Sequence, residues 1–397
     1  MKELAVVGGS LAGIRCVEAA RRLGFTGTIH LVEPDAEAPY DRPPFSKRFL
    51  RDAEVTPSSL HSNSLDDLQL VIHRQPATAL DADEVMIGLA DGTVLEPDAI
   101  VIATGSSPRM LSDTPGAHLG GIHVLRSAND ARALRSALSP GARLVIIGAG
   151  FIGLEVAATA RAMECQVTVI EALDAPLERG VGATVGSMIG EWHRAHGVDI
   201  RCGTQLEGFS GAGVVDSVHL GDGTTIPADL VLVGIGTQPN TAWLANSGLR
   251  FDDGVLCDAT LCARPNIFAI GDVARFEHPR YGSVRFEHWT NAVESGMFLA
   301  QSLFGGQPPT PYAPLPFVWS DQYDVTFQVI GAPGKSTEVS FVTPPNETFS
   351  FLALYERAGL VTGAVAANQP KALTRVRRAM MVNDPPLGEV LELLSDT

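Results

Sequence analysis

The chain has 397 residues, 45% hydrophobic and 19% charged, with a formal net charge of −16 at pH 7. That length exceeds what one hydrophobic core usually serves, so two or three domains are expected, and the composition fits a globular α/β protein better than a fibrous or disordered one. The acidic balance argues against a nucleic-acid partner, which needs clustered Lys and Arg. The absence of any run of 18 apolar residues argues against a membrane role and leaves a cytoplasmic location as the expectation.

In chain order, "ELAVVGGSLAGIRCVEAARRLGFTGTIHLVEPD" reads strand, Gly-rich turn, helix over residues 12–23, and a second strand closed by Glu33. A continuous apolar first strand is the mark of a parallel sheet covered on both faces. In a dinucleotide-binding G-x-G-x-x-G turn the first glycine makes the bend, the second lets backbone approach a pyrophosphate, and the third lets helix pack on strand. Gly8 and Gly13 fill the first and third places, but Ser10 takes the second, where its backbone N–H and hydroxyl remain available to phosphate. Glu33 stands where a carboxylate accepts hydrogen bonds from adenosine ribose. Next, "PYDRPPFSKRFL" is a proline-pinned turn carrying Arg42 and Lys47. Two cations near the mouth of a nucleotide fold suit a flavin, whose reduced ring is negative near N1.

After "DAIVIATGSSPR" the same grammar returns as "ARLVIIGAGFIGLEVAATARAMECQVTVIEALD", with Gly148, Gly150 and Gly153 complete and Glu171 closing the second strand. This is an internal duplication, so two nucleotides are expected. Glu171 favours NADH over NADPH, because a carboxylate repels a 2′-phosphate, although Arg179 turned inward would tolerate one. "ADLVLVGIGTQPN" and "NIFAIGDVA" follow. The five cysteines are scattered and form no CxxC pair, so neither a disulfide framework nor a metal site is expected. Cys257 and Cys262 fall in "GVLCDATLCARPNIFAIGD", read as a short hairpin leading into a buried strand in which small apolar cysteines pack. From about Pro311, strand-like runs ("DVTFQVIG", "TFSFLALYE", "LVTGAVAAN") precede a helix over residues 370–381, an α+β domain.

Taken together, "PYDRPPFSK", "ATGSSPR", "VIIGAGFIGLEVA", "VGIGTQPN", "IFAIGDVA", "EHWTNAVE" and "FVWSDQYD" resemble, in order, the motifs of the FAD-dependent NADH:ferredoxin reductases that serve Rieske oxygenases and bacterial cytochromes P450. The resemblance runs from the first residues to about Asp324. It implies two Rossmann-like FAD/NAD(P)-binding domains of glutathione-reductase type, the first at 1–112 and 245–319 for FAD and the second at 113–244 for NADH, with a small C-terminal α+β domain at 320–397. By position it implies that Gly8, Ser10, Gly13, Glu33, Arg42, Lys47, Ala103, Gly105, Arg109 and Asp272 line the FAD. Leu11, Ala12, Ala79, Thr104, Phe151, Ile152, Gly236, Glu287, His288 and Trp289 join the cofactor-binding set, with Gly148, Gly150, Gly153, Glu171 and Arg179 at the nicotinamide nucleotide. Lys47 is implied to pair near flavin N5 with Glu155, and Trp319 to face the partner, a [2Fe-2S] ferredoxin.

The pattern departs from the family at Ser10 and at Phe45, where leucine is usual; neither touches a charged role. Disulfide reduction is disfavoured: no cysteine occurs between Tyr40 and Lys47, and the last histidine is His288. The rival readings are a rubredoxin reductase or NADH oxidase on the same scaffold, or an NADH-sensing flavoprotein resembling apoptosis-inducing factors. The helix "PKALTRVRRAM" gathers Lys371, Arg375, Arg377 and Arg378 into a basic surface able to steer an acidic partner. The oligomeric state stays open, with a monomer slightly favoured.

Overall fold

The computed structural model describes residues 1–37, 39–60, 65–336 and 338–395. The chain divides into two compact units, Met1–Asp41 with Ser58–Ser107 and Thr237–Pro316, and Arg42–Pro57 with Pro108–Gly236 and Phe317–Thr397.

The first unit is built on a six-stranded sheet in the order Cys262–Arg264, Ile267–Ala269, Ala99–Ile102, Glu3–Val7, Thr28–Val32, Leu70–His73. All pairs are parallel except the first. Leu4, Ala5 and Val6 are wholly buried, as a central parallel strand with helices on both faces requires. The helix Leu11–Arg22 lies close against Trp289–Phe304; a Cβ at Gly296 would sit 2.4 Å from the Ala12 carbonyl oxygen. Two small sheets flank this core, one formed by Ala77–Asp81, Met86–Leu89 and Val94–Leu95.

The hairpin expected across Cys257 and Cys262 lies one strand later. Val255–Cys257 pairs with Ala274–His278 in a separate sheet, and it is Cys262–Arg264 that turns back on Ile267–Ala269. Asp258 explains the break: its carboxylate accepts the N–H groups of Thr260 and Cys262, and Leu261 follows with φ of 65°, so the chain leaves one sheet for the other. Both cysteines are free thiols.

The second unit holds the duplicate, a five-stranded parallel sheet in the order Val198–Arg201, Gln166–Ile170, Arg143–Ile147, Leu230–Val233, Ile122–His123. Around the Gly-rich turn its strand order repeats that of the first unit. The same unit contains an antiparallel sheet, Phe317–Gln322, Val325–Gly331, Leu360–Ala367, Phe351–Arg357, Glu338–Thr343, with helices Pro370–Met380 and Leu387–Ser395. The change of texture read at Pro311 thus falls at Phe317, because Tyr312 still packs in the first unit's core. Residues 337, 396 and 397 of the expected 320–397 domain lie outside the described residues.

Candidate active site

In the first unit Gly8 has φ of +113°, and a Cβ there would meet the Ala103 carbonyl oxygen at 2.3 Å; one on Gly13 would meet the Gly8 oxygen at 2.0 Å. Both glycines are thus demanded by the chain's own packing. Glu33, 8% exposed, accepts the Gly9 N–H at 2.7 Å and the Asp35 N–H at 2.9 Å, one per carboxylate oxygen, which fixes its rotamer. Ser10 is the extended N-cap of the helix Leu11–Arg22, whose first turn holds no acidic residue. The helix N-terminus therefore presents amide N–H groups and a positive dipole end with no carboxylate in that turn to compete for them.

The other expected residues of this unit gather on named neighbours. Ala103 donates its N–H to Val7, and the Thr104 hydroxyl bonds the Asn240 carbonyl while the Asn240 side chain bonds the Thr104 carbonyl. Gly105 accepts the Asn240 N–H at 2.9 Å. The Asp272 carboxylate takes a hydrogen bond from Ser106 at 3.0 Å, and Arg285 donates both to the Asp272 carbonyl and, at 2.6 Å, to Glu287. Gly271, beside Asp272, comes so close to Ala12 that a Cβ would lie 2.9 Å from the alanine methyl. Trp289 opens its helix and donates its indole N–H to Asp41 at 2.9 Å. His288 is its N-cap; burial holds its imidazole below the usual range, the nearby Asp272 and Glu287 opposing that shift. Leu11 and Ala12 are buried, whereas Ala79 sits exposed on the small sheet opposite Gly88. Ser106, Asn240 and Arg285 are supports that motif reading passed over, although the first two lie inside quoted motifs.

The second unit repeats the turn. Gly148 has φ of +103° and a Cβ there would meet the Gly234 oxygen at 2.4 Å; on Gly153 it would meet the Gly148 oxygen at 2.3 Å. Glu171 accepts the N–H groups of Ala149 at 2.8 Å and Leu173 at 2.9 Å, the arrangement seen at Glu33. Gly150 differs: its φ of −76° and ψ of 178° suit any residue, and nothing lies within 4 Å of where its Cβ would stand. Ile152 beside it is 46% exposed. A middle glycine that the fold does not need, next to an exposed apolar side chain at a helix N-terminus, fits a dinucleotide pyrophosphate approaching backbone. Phe151 is half-buried beside Gly180, and Arg179 is exposed in the first turn of Glu178–Ala195. Gly236 accepts the Arg109 N–H at 2.9 Å.

The same unit holds an ion pair between a half-buried lysine and a buried glutamate. Arg42 caps the short 3-10 turn Pro43–Ser46, and Lys47 ends it. Lys47 Nζ lies 2.9 Å from Oε1 of Glu155, which is 5% exposed. Ser320 donates to the same oxygen at 2.7 Å, and Ser46 donates to Oε2. Removing a carboxylate from water is costly unless such partners satisfy it. Phe45, the departure from leucine, is 2% exposed and packs its ring 5.1 Å from that of Phe49, so the larger side chain is absorbed by the core. Trp319 is half-buried and stacked 6.3 Å from Phe317, over which Arg377 lies at 5.0 Å. The expected basic surface is thereby halved: Arg377 packs on Phe317, Arg375 is half-buried and bonds the Leu393 carbonyl, and Lys371 and Arg378 stay exposed. Among the described residues no cluster of His, Cys, Asp and Glu is arranged for a metal ion, and no helix is long and apolar enough to cross a membrane.

Against known proteins, residues 2–296 match the pyridine nucleotide-disulphide oxidoreductase family and residues 317–391 the reductase C-terminal domain. Rhodocoxin reductase of Rhodococcus erythropolis is 36% identical over 96% of this chain and 90% of its own. The ferredoxin–NAD(+) reductase component of the p-cumate 2,3-dioxygenase system of Pseudomonas putida is 36% identical over 95% of this chain and 93% of its own. The covalent putidaredoxin reductase–putidaredoxin complex superposes with a TM-score of 0.90 at 30% identity, covering 100% of this chain and 99% of that one. With one match over residues 2–296 and a second over residues 317–391, the protein belongs to the pyridine nucleotide-disulphide oxidoreductase family, in the form that carries a reductase C-terminal domain.

Proposed function

We infer that the protein is an NADH-dependent ferredoxin reductase, passing electrons to a [2Fe-2S] ferredoxin that feeds a cytochrome P450 or a Rieske oxygenase. FAD, when bound, supplies the chemistry: it takes hydride from NADH and gives up the two electrons singly. Supporting this reading are relatives whose names carry that activity, a second unit that pairs Lys47 with the buried Glu155, and the lack of any cysteine from Tyr40 to Lys47. The pairing of Lys47 with the buried Glu155 is the observation that carries it. A charge held in low dielectric by fixed donors needs no reorganisation when charge develops beside it.

The residue roles are proposals on the same footing. Gly8, Ser10, Gly13, Glu33, Ala103–Gly105 and Asp272 bind FAD, with Arg42, Arg109 and Glu287–Trp289; Gly148, Gly150, Gly153 and Glu171 bind NADH. Lys47 and Glu155 act at the flavin ring, and Trp319 at the outlet to ferredoxin. The division into 1–112 with 245–319, 113–244 and 320–397, and a cytoplasmic location, complete the reading. The test is reduction of cytochrome c by NADH with and without a [2Fe-2S] ferredoxin. Turnover that depends on the ferredoxin is expected; ferredoxin-independent consumption of oxygen at the same rate would make the protein an NADH oxidase, and reoxidation that stays slow with every carrier would make it a sensor.

A further inference from the structure

Behind the ion pair runs a line of buried polar side chains that the reading above does not use. Ser320, Gln322 and His193 are each 0% exposed. Gln322 Nε2 lies 3.0 Å from Ser320 Oγ, Gln322 Oε1 lies 2.8 Å from His193 Nε2, and the Tyr323 hydroxyl lies 3.4 Å from His193 Nδ1. The carboxylate end dictates every direction. An ionised Glu155 only accepts, so Ser320 spends its one proton there and must accept from Gln322. Gln322 then has its carbonyl left for His193, whose Nε2 must carry the proton, and Nδ1 is left to accept from Tyr323. Four donors in series, all aimed at one carboxylate, polarise one another in a dry interior.

We propose that Ser320, Gln322 and His193 are positioning residues for the Lys47–Glu155 pair, a one-way donor chain that holds the Glu155 carboxylate in one rotamer and in its charged form. The proposal rests on the reading of that pair as the group acting at the flavin. The chain requires a neutral His193 in the Nε2–H tautomer. Burial, with a smaller contribution from neighbouring His196, lowers its imidazole to about 4 against the opposing hydrogen bond to Gln322, so it is neutral at pH 7. Sequence could not expose this arrangement: Ser320 and Gln322 alternate along one strand with Trp319 and Asp321, while Glu155 and His193 come from two helices.

The test uses the FAD-loaded full chain. Gln322→Met keeps the volume and removes both polar ends; it is expected to slow hydride transfer from NADH, followed by stopped flow, about tenfold with NADH affinity unchanged. In the Glu155→Gln background the same change is expected to add nothing, whereas a full further tenfold loss would overturn the coupling. His193→Leu is expected to slow the step as well, and His193→Gln, which keeps an N–H near the same place, to restore most of it; equal rates in the two would overturn the chain even if Gln322→Met misfolds. A readout independent of turnover is the nitrogen-15 spectrum of His193. A slowly exchanging Nε2–H and neutrality from pH 8 to pH 5 are expected, and an Nδ1–H tautomer or titration near pH 6.5 would refute the proposal. If Glu155→Gln leaves hydride transfer untouched, the flavin reading of the pair fails and this proposal with it, while the tautomer still reports whether the donor chain exists.

Discussion

Two kinds of glycine share each Gly-rich turn, and what a methyl group would strike separates them. Gly148 and Gly153 are fixed from inside: their absent side chains leave room for the carbonyl oxygens of Gly234 and Gly148. Gly150 is fixed by nothing in the chain, and its backbone suits alanine. Gly153→Ala is therefore expected to lower the melting temperature sharply, because a Cβ at 2.3 Å from an oxygen forces strand and helix apart. Gly150→Ala meets no clash and is expected to cost only about 1 kcal/mol of folding, the difference between glycine and the poorer cap alanine at an N-cap. Its larger cost falls on the ligand: the Michaelis constant for NADH should rise about tenfold, roughly 1.4 kcal/mol of lost binding. Melting curves and initial rates on both variants check this, and a Gly150→Ala enzyme with unaltered NADH kinetics would remove the argument for a pyrophosphate at that turn. Ser10, at the matching place in the first unit, shows that the backbone tolerates a side chain there.

At the scale of elements, the strand–turn–helix–strand units were readable because everything that defines them is local: an apolar run, a Gly-rich turn, a helical apolar period and a closing carboxylate within about one βαβ length. The site is less local. Lys47 and Glu155 stood in motifs, but Ser320 is 165 positions from the glutamate it holds, and a serine in a strand reads as a surface residue until the opposing helix is known. The helix Leu387–Ser395 went unread because nine residues hold too few turns for a period to stand out. The helix Pro370–Met380 was readable, yet its exposed face was not: Leu373, Val376 and Met380 turn inward and take Arg377 with them onto Phe317. Cation–π contact with Phe317 and partial burial make Arg377 a structural residue. Of the four cations, Lys371 and Arg378 are the exposed pair, and under the proposed function they are the ones left to steer an acidic ferredoxin. Reversing both to Glu is expected to slow ferredoxin reduction several-fold at low ionic strength, with NADH–ferricyanide turnover unchanged, and the gap should close near 0.5 M salt as screening shortens to a few ångströms. Equal loss in both assays, or none in either, would take this helix out of docking.

The molecule as a whole buries imidazoles in both units, and that sets a pH limit distinct from carboxylate titration. Burial lowers His73, His278 and His288 in the first unit and His123 and His193 in the second. The sign follows from proton counting. His193 binds its proton near pH 6.5 when unfolded but only near 4 in the native chain, so between those values the unfolded state holds more protons and stability rises with pH. The contribution is complete above pH 6.5 and is lost as the pH falls toward 4. At pH 5 His193 alone should have cost about 2 kcal/mol relative to neutral pH. The four other histidines push the same way, whereas a carboxylate held below its usual range, such as Asp229 beside Arg143, gives up its contribution only at lower pH. Melting temperature is therefore expected to drop between pH 7 and pH 5, and His193→Gln, which cannot charge, to shallow that slope while retaining a hydrogen bond to Gln322. Parallel pH slopes in the two proteins would mean that His193 already carries its proton in the native state, and the donor chain would then lose the neutral ring it depends on.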